Sequence, residues 1–195
     1  MNVLIKLAPG EKLPQKIIEI TGITDEALEA DGIDREEAAF KTAGFFEGDD
    51  KLIIAYNAHF DLSFLWHFLS RYGRCPERKF GLADVLQGAL FLDALTVYKD
   101  RKPYPHRLFN AIDAYKIDAQ NSHRASDDAF AAWEVFLKMR EEEDDLDRYI
   151  NLFGFNPKYG VTGRRIHSVT YLPQQFDSKE KLYEKAPAKA EKREV

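Results

Sequence analysis

The sequence predicts an α/β fold, in which helices pack against a sheet, in one domain with a C-terminal extension. Short apolar segments typical of strands alternate along the chain with longer segments whose apolar residues recur at helical spacing. Apolar residues make up 45% of the 195 residues, which is enough to build a packed core. We expect the domain to cover residues 1–150, an extension to cover residues 151–176, and a disordered tail rich in Lys, Glu, Ala and Pro to cover residues 177–195.

The first part of the chain is expected to contain one strand and two helices. Apolar residues alternate with other residues over residues 3–7, which predicts a short strand. Residues 14–21 predict a short helix that the following glycine ends. Residues 34–46 predict a longer helix, which Asp34 would cap together with Glu37 in a capping box.

Strand and helix patterns alternate more clearly from residue 52 onward. Residues 52–56 have the pattern of a buried strand and lead directly into a helix with a wide apolar stripe. Residues 91–97 predict a second strand, and residues 108–115 predict a further helix. The helical pattern is clearest over residues 125–139, and a late strand is predicted at residues 166–172. This alternation favours a sheet with helices packed on it.

Charge and cysteine content limit the compartment and the kind of partner. The net charge of −5 argues against a broad basic surface that coats long nucleic acid. It is compatible with an enzyme that holds a few nucleotides through bound cations. The single cysteine, Cys75, cannot form an internal disulfide, which favours a reducing cytoplasm. No apolar run in the sequence reaches membrane-spanning length, so no membrane partner is expected.

Two carboxylates and a histidine have the chemistry for metal-dependent hydrolysis. Asp61 opens a helix after a strand, and Asp128 lies on the apolar face of another helix, shortly after His123. Carboxylate oxygens bind hard divalent cations, and histidine titrates near neutral pH and can take a proton from water. A simpler interpretation stays open, in which each carboxylate only favours the positive end of its helix dipole.

Four short segments carry a resemblance to a known family. They are residues 20–24 (ITGIT), 57–61 (NAHFD), 91–95 (FLDAL) and 123–128 (HRASDD). One such motif would be a weak signal because short motifs recur by chance, but the order and spacing of the four are specific. From about residue 3 to residue 139 the chain resembles the DnaQ-like, or DEDDh, exonucleases. These include proofreading subunits of bacterial replicases, ribonuclease T and oligoribonuclease.

The resemblance implies a ribonuclease H-like fold, with a mixed sheet flanked by helices, and metal-dependent 3′–5′ hydrolysis. It implies that Asp61 and Asp128 bind two divalent cations, Mg²⁺ or Mn²⁺, and that His123 is the general base. The substrate-binding residues implied in the same way are Asn57, His59, Phe60 and Phe64. An alternative for Phe64 is packing in the core, because it also lies on the apolar stripe of its helix.

The resemblance also implies the substrate class and a protein partner. The expected substrate is the 3′ end of single-stranded DNA or RNA, and the sequence does not separate the two. The expected type is a proofreading nuclease similar to the epsilon subunit of DNA polymerase III, which makes a DNA polymerase a candidate partner.

The family's first motif, Asp-x-Glu on a strand, is absent before residue 20. Because residues 3–7 resemble the family's third strand, the chain is expected to lack the first two strands and to have little or no activity as a 195-residue protein. Three explanations stay open: a misassigned start, a non-catalytic relative, and a strand supplied by another chain. The alternative function is therefore a non-catalytic module that binds nucleic acid or a replication partner.

Three further residues have two interpretations each. Asp93 is expected to be structural, at a strand position, and the alternative is a place in the site. Arg164 and Arg165 either contact phosphates or are exposed on an extension that serves packing.

Overall fold

The computed structural model describes residues 2–47, 51–73, 81–118, 125–161, 163–175 and 180–187, and it has the predicted α/β architecture. The helices of these residues are Gln15–Thr21 (α1), Asp25–Asp31 (α2), Arg35–Phe46 (α3), Ala58–Tyr72 (α4), Val85–Gly88 (α5), Ala94–Arg101 (α6), Leu108–Ala114 (α7) and Ala125–Glu142 (α8). The strands are Leu52–Ala55 (β1), Leu90–Asp93 (β2), Leu152–Phe155 (β3) and Thr170–Pro173 (β4). Short 3₁₀ turns occur at Leu82–Asp84, Leu146–Tyr149 and Leu182–Lys185. Within the described ranges, no helix is long and apolar enough to cross a membrane.

The described strands form two parallel pairs. β1 pairs with β2, with Leu52 opposite Leu90 and Ala55 opposite Asp93, and β3 pairs with β4. Parallel strands need a crossover connection, and α4 and α5 lie in the crossover between β1 and β2. Because both strands run in the same direction, the residues that follow β1 and β2 lie close together at the carboxyl ends of the strands.

Asn151 connects the two strand pairs. Its backbone N–H donates to the carbonyl of Phe91 at 2.7 Å, and its side-chain Oδ1 accepts from the N–H of Phe91 at 2.7 Å. Asn151 has φ of 59°, in the left-handed region that asparagine tolerates better than most residues. The C-terminal extension is thereby attached to the edge of β2.

Helices cover both faces of the β1–β2 pair. Successive side chains of a strand point to opposite faces, and Leu92 packs with α6, α7 and α8 while Phe91 packs with α3 and α4. Both side chains are 1% exposed. The core is therefore divided by the sheet into two apolar clusters, as expected for a parallel sheet buried on both faces.

Four local expectations needed correction. Residues 3–7 contain one parallel bridge, Ile5 with Ile33, rather than a strand. Asp34 makes no side-chain hydrogen bond at the start of α3, so the predicted capping box with Glu37 is wrong. The strand predicted at residues 91–97 ends at Asp93, whose side chain instead accepts from the N–H of Leu95 and starts α6. The late strand is displaced to Thr170–Pro173.

The predicted disordered tail is wrong for residues 180–187. Leu182 is 1% exposed and packs in the same cluster as α6 and α8. Its backbone N–H donates to the Asp100 carboxylate at 2.6 Å. Tyr183 and Ala186 pack against the same cluster, so several contacts hold this turn on the core.

Candidate active site

The first turns of two helices bring Asp61 and Asp128 to the same place. Asp61 lies in the first turn of α4, and Asp128 lies in the first turn of α8. Asn57, with φ of 68°, adopts the left-handed conformation at the N-cap and turns the chain from β1 into α4. The α8 helix packs against β1, so its first turn lies beside the chain that leaves this strand.

Both carboxylates line one cavity of about 410 Å³. The remaining wall is mostly apolar and consists of Ile54, Ala55, Tyr56, Phe60, Leu108, Ala125, Ala129 and Ala132. Convergent polar groups in an otherwise apolar cavity are the usual composition of a ligand site. The structure thus places Asp61 and Asp128 together in such a cavity.

The Asp61 carboxyl group has a perturbed pKa. Although part of the residue is open to solvent, burial of its carboxyl group and, second, the negative charge of Asp93 raise the pKa of Asp61 to about 6. Both causes disfavour the charged form. Asp61 is therefore mostly ionised at neutral pH, and a nearby cation would stabilise its charge.

Asp128 holds a buried oxygen without a partner. Its Oδ1 is inaccessible to solvent and has no hydrogen-bond partner among the described residues. Most buried polar atoms are hydrogen-bonded, and an exception calls for an explanation such as a bound ion or water. A divalent cation, which prefers oxygen ligands, would satisfy this oxygen.

The described residues do not form a complete metal site by themselves. They contain no group of three or more His, Cys, Asp or Glu side chains placed to hold a metal ion. His123, the predicted general base, lies outside the described residues, so its role stays a prediction.

A second cavity, of about 330 Å³, lies next to the first. It is lined by the four predicted substrate-binding residues, Asn57, His59, Phe60 and Phe64, and by Ser63 and Gly163. The rings of Phe60 and Phe64 are 4.8 Å apart and are 57% and 65% exposed. Such exposure leaves both rings open to stack on a base, and it makes the core-packing alternative for Phe64 wrong. Phe60 lines both cavities, so the two are adjacent.

Gly163 is one of two residues lining the second cavity, with Ser63, that the sequence did not indicate. Its φ is 82°, in the left-handed region that favours glycine. A Cβ at this position would lie 2.7 Å from Oγ of Ser63 and 4.0 Å from Nε2 of His59. In the sequence, Gly160 and Gly163 indicate a loop, but they do not indicate what this loop packs against.

Asp93 is a structural carboxylate. It is 4% exposed, and its Oδ1 accepts from the backbone N–H groups of Asn57, Ala58 and Leu95 at 2.8, 3.1 and 3.2 Å. Its Oδ2 accepts from the hydroxyl of Thr96 at 2.7 Å. These bonds fasten the start of α4 and the start of α6 to the ends of neighbouring strands, as expected from its strand position.

Comparison with known proteins identifies the family to which this chain is similar. The family model described as exonuclease matches residues 1–136. The chain is 30% identical over 144 residues to a PolC-type DNA polymerase III of Listeria innocua, which covers 70% of this chain and 9% of the relative. It is 32% identical over 139 residues to the PolC-type DNA polymerase III of Halalkalibacterium halodurans, with coverages of 71% and 9%. For the PolC-type DNA polymerase III of Thermotoga maritima the identity is 32% over 142 residues, with coverages of 72% and 9%. The aligned segment is therefore about a tenth of the length of these relatives.

Proposed function

This chain belongs to the exonuclease family, and we propose that its activity is metal-dependent hydrolysis of nucleic acid from the 3′ end. The observation that carries the proposal is the buried Oδ1 of Asp128, which has no hydrogen-bond partner within the described ranges and lies in a cavity that Asp61 also lines. We assign this activity to residues 1–150 and treat residues 151–176 as an extension of the domain.

A divalent cation, Mg²⁺ or Mn²⁺, fits the chemistry of this cavity. Asp128 offers a desolvated oxygen that has no competing donor among the described residues, and Asp61 carries a charge that its surroundings disfavour. Both features raise the free energy of the folded protein without a cation, and a bound cation would lower it by pairing with these oxygens. When bound, divalent cations lower the pKa of water and stabilise negative charge on a phosphate.

The side chains of the chain itself would position the substrate and move the proton. The exposed rings of Phe60 and Phe64 would stack on the terminal bases, since every base presents a face to an aromatic ring. Asn57 and His59 line the same cavity and would contact the sugar or phosphate. His123 would accept the proton of the attacking water as general base.

The substrate is proposed to be single-stranded DNA or RNA with a free 3′ end. A DNA polymerase is the proposed partner, because the relatives above are themselves DNA polymerase III proteins of the PolC type. Such a role also places the protein in the cytoplasm.

A second candidate function is a non-catalytic module that binds nucleic acid or a replication partner. It is favoured by the small number of acidic ligands, because within the described ranges only Asp61 and Asp128 contribute carboxylates to the cavity. Two carboxylates are few for a pair of cations that must each hold several oxygens.

The two candidate functions predict different results when a 5′-labelled oligonucleotide is incubated with the protein and Mn²⁺. Release of nucleotides from the 3′ end is measured as shortening of the labelled strand. If the reading frame upstream of Met1 encodes an apolar strand with Asp-x-Glu, the longer product should release nucleoside monophosphates from the 3′ end, and Asp128→Ala should abolish the release. Oligonucleotide binding without release by the longer product would favour the non-catalytic module.

A further inference from the structure

We propose that residues 163–165, which we name the arginine loop, form a phosphate-binding surface for single-stranded nucleic acid. The loop would hold the phosphates just upstream of the nucleotide in the carboxylate cavity. The inference rests on the proposed function, since it concerns how the same substrate continues away from the site. It concerns a segment beyond residue 136, where the family model ends.

The arginine loop packs against the helix that carries Asp61. Gly163 is so close to Ser63 on α4 that a Cβ would lie 2.7 Å from its hydroxyl oxygen. Gly163 closes the second cavity, whose other wall is formed by Phe60 and Phe64. Because Phe60 also lines the carboxylate cavity, a strand leaving that cavity across the two phenylalanine rings reaches the loop next.

The two arginines are held in place by aromatic rings rather than by carboxylates. The guanidinium carbon of Arg164 lies 4.7 Å from the ring centroid of Trp66, and that of Arg165 lies 5.6 Å from the ring of Tyr171. Both arginines are exposed, and neither forms an ion pair with a carboxylate in the described part of the chain. A stacked guanidinium keeps its edge donors available, and their fork geometry matches a phosphate group.

The charge of the extension fits phosphates and differs from that of the rest of the chain. Residues 151–176 contain Lys158, Arg164 and Arg165 but no Asp or Glu, whereas the whole chain has 33 Asp and Glu residues and a net charge of −5. The extension is therefore a positively charged segment of an acidic protein. A positive groove beside exposed aromatic rings is the combination that binds single-stranded nucleic acid.

The test is binding of 5′-fluorescein-labelled oligo(dT) to the full chain, followed by fluorescence anisotropy across a series of salt concentrations. EDTA is included so that hydrolysis does not occur. Arg164→Ala/Arg165→Ala should reduce the salt slope of log Kd by about 1.4, because each single-strand phosphate contact contributes about 0.7. The same relation gives a loss of affinity of roughly tenfold or more at 0.1 M salt.

Arg140→Ala/Arg148→Ala is a matched control. Both of these arginines are exposed, and they also lie over aromatic rings, those of Phe136 and Tyr183. The control removes the same number of charges and of guanidinium groups that lie over aromatic rings, at positions outside the arginine loop. It should leave the salt slope unchanged.

Three results would overturn the proposal. The first is equal oligonucleotide binding by the wild-type protein and Arg164→Ala/Arg165→Ala, which would leave the proposed function intact, since nucleotide release and its dependence on Asp128 test that separately. The second is no binding by the wild-type protein even at low salt. The third is a loss of affinity in Arg164→Ala/Arg165→Ala that leaves the salt slope of the wild-type protein unchanged. In that case the loss would come from disturbed packing rather than from lost charge.

Discussion

Two regions of this protein contain carboxylates in opposite hydrogen-bonding environments. They are the strand-to-helix junction around Asp93 and the cavity around Asp128. The Asp93 carboxylate accepts four hydrogen bonds from surrounding backbone and side-chain donors. The Asp128 carboxylate has a buried oxygen that accepts none from the described residues. Both groups lie at a helix start beside the same small sheet.

The difference separates a carboxylate that stabilises the fold from one that is available to a ligand. A buried charge with four donors is compensated within the protein, and removing it leaves those donors unpaired. A buried oxygen without a donor is a cost that the fold alone does not offset. The hydrogen-bond partners of a buried carboxylate, rather than its burial, thus indicate its role.

The largest expected effect is on stability at the Asp93 junction. Asp93→Ala should lower the free energy of unfolding by roughly 3–5 kcal/mol, because three backbone N–H groups and one hydroxyl lose their acceptor. Urea unfolding followed by circular dichroism measures the change. Asp144→Ala, at an exposed position, should change it by less than about 0.5 kcal/mol. Similar losses in the two variants would contradict a structural role for Asp93.

A smaller effect is expected at Thr96, which supports the same junction. Its hydroxyl donates to Asp93 at 2.7 Å and accepts from the N–H of Gly154 at 2.9 Å, and the residue is fully buried. Thr96→Val should destabilise by about 2 kcal/mol in the same urea experiment. Thr96→Ser keeps the hydroxyl and should cost about 1 kcal/mol for the lost methyl group. If Ser were as costly as Val, the hydroxyl would not be the stabilising group.

At Asp128, substitution is not expected to lower the free energy of unfolding as it does at Asp93 and Thr96. Asp128→Asn removes a charge whose buried oxygen has no donor in the described part of the chain, so in EDTA the free energy of unfolding should stay unchanged or rise by up to about 1 kcal/mol. Differential scanning calorimetry gives the shift in melting temperature. A clear loss of stability would mean that Asp128 is satisfied in solution by groups of the protein and resembles Asp93.

The smallest expected effect is a pH dependence from Asp61. Its pKa in the folded protein is raised to about 6 from its ordinary value of 3.8, so the folded state binds this proton more tightly than the unfolded state. The stabilising contribution is present at acidic pH and is lost as the pH rises from about 4 through about 6. In EDTA, the free energy of unfolding of the wild-type protein relative to Asp61→Asn should therefore fall across this range and level off above it. A difference that increases with pH would mean that the folded state lowers, rather than raises, the pKa of Asp61.

Both halves of the cavity were predictable from local sequence patterns. Apolar residues at helical spacing indicated α4 and α8, and the position of each aspartate in its pattern indicated the first turn of the helix. The resemblance to the DnaQ-like exonucleases, rather than the alternation of strands and helices, implied that both aspartates serve one site. The metal-binding roles of Asp61 and Asp128 remain proposals.

Tertiary contacts decided what local patterns did not show. The strand predicted at residues 91–97 ended early because the Asp93 side chain caps α6, which depends on donors around Asn57 as well as on local sequence. Phe64 fits the apolar stripe of α4 but is exposed, because the helix stripe is wider than the surface that covers it. The approach of Gly163 to Ser63 joins residues far apart in the chain, and no local period carries that information.

Cation binding tests the difference between the two carboxylate regions most directly. Electron paramagnetic resonance of free Mn²⁺ measures binding to the wild-type protein, to Asp128→Asn and to Asp127→Asn, in which the neighbouring carboxylate on the same turn is neutralised. We predict that the wild-type protein and Asp127→Asn bind Mn²⁺ with the same affinity, whereas Asp128→Asn binds it at least roughly tenfold more weakly. Substitution of residues that only support metal ligands already lowers metal affinity by about this factor. Equal Mn²⁺ binding by Asp128→Asn and the wild-type protein, or no binding by either, would contradict the assignment of the Asp128 cavity as the metal site.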